Sequence, residues 1–213
     1  MKTGQEKRES MESTIILASK SPRRCELLQS AGIRFTIIPA DIPEDVRPGE
    51  DYRQFPVRIA RDKARAVAKD YPEAWVLGAD TIVVAGEEIL GKPADVADGK
   101  RMLRLLSGKR HKVITGFALV QAASGREICD KACTEVEFKT LTDLEIDWYL
   151  RTGEPFDKAG AYAIQGIGAF FIRNISGSYT NVVGLPLCEV VQVLLELGLI
   201  EIWRHVAEMG APQ

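Results

Sequence analysis

Residues 74–90 read AWVLGADTIVVAGEEIL, and no other stretch restricts the fold as much. The runs WVLGA and TIVV leave no polar face, so what they form belongs inside a sheet covered on both sides. Gly78-Ala79-Asp80 divides the runs, the first strand is expected to end at Asp80, and Gly86-Glu87 turns the chain back as a hairpin. A carboxylate at the end of so apolar a run calls for hydrogen bonds, a metal or a chemical task to offset its burial. A structural cap is the plainer alternative.

Around this segment, short apolar runs alternate with helical patterns. TIILAS reads as a strand, followed by a helix with Ser21 as N-cap, Pro22 as first residue, an apolar stripe of Leu27, Leu28 and Ala31, and a stop at Gly32. FTIIPADI reads as a second strand. Within residues 52–70, Val57, Ala60, Ala64, Val67 and Ala68 fall at helical spacing. Asp95 to Leu106 reads as a helix closed by Gly108, and a long antiparallel hairpin turns near Ser124-Gly125. Thr142 with Glu145 forms a capping box for a helix reaching Thr152, AFFIRNI reads as a strand, and Pro186 to Leu197 as a last helix. SGSYTNVVGLP reads as a loop built for close approach. The expected fold class is α/β, a long twisted mixed sheet flanked by helices and carrying a cleft. Residues 13–204 are expected to form one domain, with a polar extension over 1–12 and a tail over 205–213.

With 46% hydrophobic and 27% charged residues in 213, the chain can bury a substantial core. A formal net charge of -2 and a pI near 5.8 argue against a nucleic-acid or acidic-membrane partner. Cys25, Cys129, Cys133 and Cys188 form no CxxC pair, and His111 and His205 are too few for a histidine metal cage. No signal-type apolar segment opens the sequence and no run approaches the ~18 residues of a membrane span. The expectation is a cytoplasmic protein with reduced thiols.

Chemistry-bearing residues cluster in short segments. Arg23 and Arg24 stand where a helix begins, against the partial positive charge there, at ~0.3–1 kcal/mol each; an anion nearby would explain them, and so would a solvated turn. Lys63 lies on the basic face of the helix over residues 52–70, which by default is solvated. Lys92 sits between Gly91 and Pro93 in a defined loop, and Gln165 lies in the polar, small-residue-rich run DKAGAYAIQGIG, where its amide can read a hydrogen-bonding edge. Arginines, lysines and carboxylates together suit a polyphosphate with a divalent cation. No G-x-x-x-x-G-K-[ST] loop and no strand-linked G-x-G-x-x-G occurs, which disfavours the P-loop and dinucleotide enzymes.

Seven segments, in order, resemble the Maf (septum-formation inhibitor-like) nucleoside triphosphate pyrophosphatases: LASKSPRR, RIARDKA, LGADTIV, GKP, LSGKRHKVITG, GEPFDKAGAYAIQG and ISGSYTNVVGLPL. The resemblance covers about residues 14–200. It implies hydrolysis of the α–β phosphoanhydride of a nucleoside triphosphate to monophosphate and pyrophosphate, with Mg²⁺ or Mn²⁺. It implies two lobes around a central nucleotide cleft, as in Maf and ITPase-like folds, and commonly a homodimer. Arg23, Thr81 and Gln165 match the dTTP/UTP branch, whereas the 7-methyl-GTP branch tends to carry Trp, Gln and Glu there. On this basis Asp80 is the expected general base and metal ligand, with Glu44 as a second carboxylate for the metal. Arg23, Arg24, Lys63 and Lys92 would offset phosphate charge, and Ser19 would donate a hydrogen bond. The alternative from another class is a nucleotide- or partner-binding regulator of septum formation without significant turnover.

Overall fold

The structure, a computed structural model, describes residues 15–201; the expectations for residues 1–12 and 205–213 lie outside them. The chain runs β1 (Ile15–Leu17), α1 (Pro22–Ser30), β2 (Thr36–Ile37), α2 (Phe55–Ala68), β3 (Trp75–Ala85), β4 (Glu88–Leu90), α3 (Val96–Leu106), β5 (Arg110–Gln121), β6 (Arg126–Phe138), α4 (Asp143–Arg151), β7 (Ile172–Ser176), α5 (Tyr179–Val183) and α6 (Leu187–Glu196). Three short 3₁₀ turns, Glu154–Asp157, Ala159–Ala161 and Ile167–Phe171, lie between α4 and β7. The strands form one mixed sheet in the order β2-β1-β3-β5-β6-β7, with β4 also on β3. β1 pairs in parallel with β2 and β3, and the other pairings are antiparallel.

β3 does not end at Asp80. β5 pairs with it without interruption from Val76 opposite Val120 to Val84 opposite Lys112, and this ladder carries the strand through the carboxylate to Ala85. The other edge of β3 is divided. β1 lies beside Trp75, Val76 and Leu77, and β4 beside Val83, Val84 and Ala85. Between them, residues 78–82 have no strand partner on that edge among the described residues.

The core divides at the same place. Leu77 and Ala79 pack with Leu27 and Leu28 of α1 and Val190 and Leu194 of α6, while Val83 packs with α3 and α4 through Leu103, Leu106 and Tyr149. α2 covers the opposite face along the length of β3, through Ala60 and Ala64 beside Val76 and through Phe55 and Ile59 beside Ile82 and Val84. Burying Ile59 and Val67 is worth about 1.5–3 kcal/mol each, which outweighs the few tenths that β-branched residues cost a helix. The close approach of α2 depends on two glycines. A Cβ at Gly78 would stand 2.0 Å from the Ala60 carbonyl oxygen, and one at Gly116 2.4 Å from the Val57 nitrogen.

Three further expectations are corrected. FTIIPADI yields only the two residues of β2, exposed at the sheet edge with no covering layer. AFFIRNI enters its strand only at Ile172, because residues up to Phe171 are wound in a 3₁₀ turn. SGSYTNVVGLP contains α5, whose N-cap Ser178 accepts from the Asn181 amide at 3.2 Å.

Candidate active site

A cleft of about 790 Å³ opens at the gap in the β3 edge. Its lining includes Ser19, Arg23, Arg24, Glu44, Lys63, Asp80, Thr81, Lys92 and Gln165, so all nine residues singled out in the sequence meet in one space. Successive strand residues point to opposite faces. Asp80 therefore turns toward α2 and Thr81 toward α1 and α5, and both reach the cleft because no neighbouring strand closes the edge between them.

On the α2 face, Lys63 is held over the sheet by the glycine-mediated approach of its helix. Its Nζ donates to Asp80 Oδ1 at 2.9 Å and pairs with Glu44 Oε1 at 2.8 Å, so one ammonium bridges two carboxylates. Lys63 and Asp80 are each only 7% exposed, whereas the Glu44 side chain is about half exposed, at 53%. Burial lifts the Asp80 carboxyl above the ordinary aspartate range, against the opposing pull of Lys63 and Arg24. Lys63 is thus a buried partner of Asp80, not part of a solvated face.

On the other face the two arginines separate. Arg24 folds back and is buried; its Nε donates to Gly184 O at 2.8 Å, Nη1 to Ser19 Oγ at 3.1 Å and Nη2 to Thr81 Oγ1 at 3.1 Å. Burial lowers its pKa, partly offset by the nearby Asp80 charge. Arg23 stays at the surface, with Nη1 3.4 Å from Asp157 Oδ2. The first turn of α1 carries no acid, and the Ser21 side chain makes no capping bond. Instead the Ser21 amide donates to Ser19 Oγ at 3.2 Å. Ser19 Oγ therefore accepts twice, and its own proton remains available to a ligand.

Proton counting fixes the direction of the hydroxyl chain beneath Arg24. Thr115 Oγ1 donates to Asn181 O at 3.1 Å, so across its 2.9 Å contact with Thr81 Oγ1 it accepts. Thr81 accepts from Arg24 and donates to Thr115, so its proton is engaged. Asn181 Nδ2 in turn donates to Val113 O and Thr134 Oγ1. Thr115, Thr134 and Asn181 are fully buried and were missed in the sequence, where nothing reveals that Thr81 and Thr115 stand opposite each other in the ladder.

The remaining wall comes from loops. Lys92 is exposed between β4 and α3, and the preceding Gly91 carbonyl accepts from the Gly160 amide at 3.0 Å. Asp157, Lys158 and Tyr162 also line the space and were not picked out by sequence reasoning. Gln165 is half-buried, and its amide makes no hydrogen bond among the described residues. The cleft thus offers a buried carboxylate of raised proton affinity, cations on several sides, and one amide free to read a hydrogen-bonding edge.

Comparison with known proteins gives a consistent result. A family model described as Maf-like protein matches residues 14–197. A protein of Geobacter metallireducens named dTTP/UTP pyrophosphatase is 56% identical over 188 residues, covering 88% of this chain and 98% of its own. A protein of the same name from Geobacter sulfurreducens is 55% identical, covering 87% and 97%. Among solved structures, that of the Staphylococcus aureus Ham1 protein aligns over 75% of this chain and 79% of its own, with a TM-score of 0.45 and 15% identity, too loose to bear on the site.

Proposed function

The chain belongs to the Maf-like protein family, and from that premise we propose that it is a nucleoside triphosphate pyrophosphatase that hydrolyses dTTP and UTP to the monophosphate and pyrophosphate. The observation that carries the reading is Asp80, a buried carboxylate facing a cleft whose wall also holds Arg23, Arg24, Lys63 and Lys92. Its raised proton affinity brings it closer to the working pH of a general base. Asp80 takes a proton from water as the water oxygen bonds to the α-phosphorus; the bond from that phosphorus to the α–β bridging oxygen breaks, and pyrophosphate leaves with the electron pair.

Lys63 holds the Asp80 carboxylate in place, and Arg23, Lys92 and the Ser19 hydroxyl meet the phosphate oxygens. Arg24 supplies a fixed positive potential beneath them, and Thr81 acts through Arg24. Gln165 reads the pyrimidine edge, which offers both donors and acceptors.

Asp80 and Glu44 are the residues that would hold a divalent cation, Mg²⁺ or Mn²⁺. Lys63 engages only Oδ1 of one and Oε1 of the other, which leaves each carboxylate a further oxygen. No cluster of three or more acidic, histidine or cysteine ligands occurs among the described residues, a pattern that fits Mg²⁺, which takes much of its shell from substrate phosphates and water. Bound there, the cation would offset phosphate charge.

Clearance of surplus or modified pyrimidine nucleotides, a cytoplasmic setting and a homodimeric state belong to the same proposal. All four cysteines are free thiols, and among the described residues no helix is long and apolar enough to cross a membrane.

The test is pyrophosphate release from dTTP, UTP, CTP, dATP, GTP and 7-methyl-GTP, with and without Mg²⁺. Turnover of dTTP and UTP above the others, dependent on the cation, is the expected result. No release from any nucleotide would overturn the reading.

A further inference from the structure

The 3₁₀ turn Glu154–Asp157 holds two walls of the cleft by its two end residues. Asp157 at one end faces Arg23 at 3.4 Å and receives Lys158 Nζ at 2.5 Å, and that Nζ also donates to the Glu154 carbonyl at 2.7 Å. Glu154 at the other end turns its carboxylate away from the cleft, under the loop that carries Gln165. Its Oε1 accepts from Tyr149 Oη at 2.9 Å and the Gly168 amide at 3.0 Å, and its Oε2 from the Ile167 amide at 2.9 Å. Three donors from two segments thus converge on one side chain.

The glycines of QGIG are explained by this clamp. Gly166 has φ 79°, and a Cβ there would stand 2.7 Å from Glu154 Oε2; a Cβ at Gly168 would stand 2.6 Å from Tyr149 Oη. Any side chain at 166 would both strain the backbone and displace the carboxylate. Burial works to raise the Glu154 pKa, but the two amides and the Tyr149 hydroxyl outweigh it and keep the carboxyl below its ordinary range. The acceptor is therefore ionised at neutral pH, as two converging amides require.

We propose that Glu154 is a positioning residue for nucleotide selectivity: by pinning the Ile167 and Gly168 amides beside Tyr149 of α4 it fixes the loop from which Gln165 presents its amide to the base. The inference rests on the reading of Gln165 as the group that meets the base edge. A free loop would have to be ordered at each binding event, a cost that falls on affinity and discrimination and not on the attack at phosphorus.

The experiment compares Glu154→Gln, Gly166→Ala and Gln165→Ala with the parent, using dTTP, UTP and CTP. A glutamine at 154 keeps one acceptor oxygen and turns an NH₂ group toward a backbone amide. The expected result is a KM for dTTP and UTP raised about tenfold, kcat lowered by no more than about threefold, and a narrowed preference over CTP. Hydrogen exchange at the Ile167 and Gly168 amides should quicken in the same variant. Parental KM and preference, or a fall in kcat equal for all three nucleotides with the preference intact, overturns the proposal. If Glu154→Gln does not fold, Gly166→Ala displaces the clamp from the loop side, and the same two sets of outcomes apply. Gln165→Ala separates the two layers of argument. If it narrows the preference while the clamp variants do not, only the role of Glu154 falls; if it leaves the preference unchanged, the base-reading role falls and the clamp's role with it.

Discussion

Asp80 and His111 are both buried ionisable side chains, at 7% and 3% exposure, on neighbouring strands, and their surroundings make opposite use of burial. His111 lies among aromatic rings, edge-on to Phe138 at 4.9 Å and to Tyr162 at 5.3 Å, with Nε2 2.8 Å from Tyr162 Oη and Nδ1 without a partner among the described residues. Burial alone lowers its pKa to about 4, so it is a neutral ring at physiological pH. Burial likewise disfavours the charged form of Asp80, but Lys63 and Arg24 oppose it, and the open strand edge gives it access to a ligand. Burial perturbs both groups; countercharge and access make only one of them usable.

The strongest way to break this contrast is to neutralise Asp80. Asp80→Asn is expected to lower kcat by about 10³-fold, within the usual span of a lost general base, while nucleotide affinity stays within a few-fold. Because the carboxyl is raised in the folded state, its ionised form burdens the fold, and the melting temperature of the variant should not fall. Turnover near the parental rate would remove Asp80 from the chemistry.

His111 should show its burial in stability instead. Its folded pKa lies below the unfolded value, so the unfolded chain binds the extra proton between pH 6.5 and about 4. The stability that the neutral ring supports is fully present above pH 6.5 and is lost as pH falls through that window, in total roughly 3 kcal/mol. Urea midpoints measured across it should drop in the parent and flatten in His111→Phe, with dTTP turnover at pH 8 retained in both. An equally steep profile in the variant would remove His111 as the source of the acid sensitivity, since Glu50 and Glu145, which their arginine and lysine partners hold near 2, lose their contribution only below about pH 4.5.

Local pattern made much of this molecule legible. The capping box at Thr142 and Glu145, the hairpin at Ser124-Gly125 and the stop at Gly108 depend on residues a few positions apart, and the sequence displays them. The site residues could be collected because their motifs are short. What could not be read is whatever depends on which strands adjoin. The gap beside Asp80 exists because β1 and β4 share an edge of β3 without meeting, so the sequence suggests a strand end where the structure has a strand middle. Lys63 looked solvated because the missing Cβ atoms of Gly78 and Gly116 give no hint that α2 lies against them. The two arginines look equivalent as neighbours in SPRR, yet one is buried and the other faces solvent.

Arg24, another buried ionisable group, sharpens the comparison further, because among the described residues its hydrogen bonds go to neutral acceptors and not to a carboxylate. Arg24→Met removes three donors at once: Gly184 O loses its 2.8 Å partner, while Ser19 Oγ keeps the Ser21 amide and Thr81 Oγ1 its contact with Thr115. Part of that loss is returned by no longer burying a charge, and a net destabilisation of about 2 kcal/mol is expected from denaturation midpoints.

Thr115→Val probes the same assembly from below with the smallest change. The shape of the side chain is kept, but Thr81 loses its acceptor and Asn181 O its donor. Thr81 can then turn its proton toward Gly184 O, 3.4 Å away, which competes for the carbonyl that receives Arg24 Nε. The expected cost is about 1 kcal/mol of stability, with kcat/KM for dTTP lowered a few-fold and restored by Thr115→Ser. Parental kinetics in Thr115→Val would mean that Arg24 keeps its place through Gly184 and Ser19 alone, and that the hydroxyl chain serves only to satisfy buried polar groups.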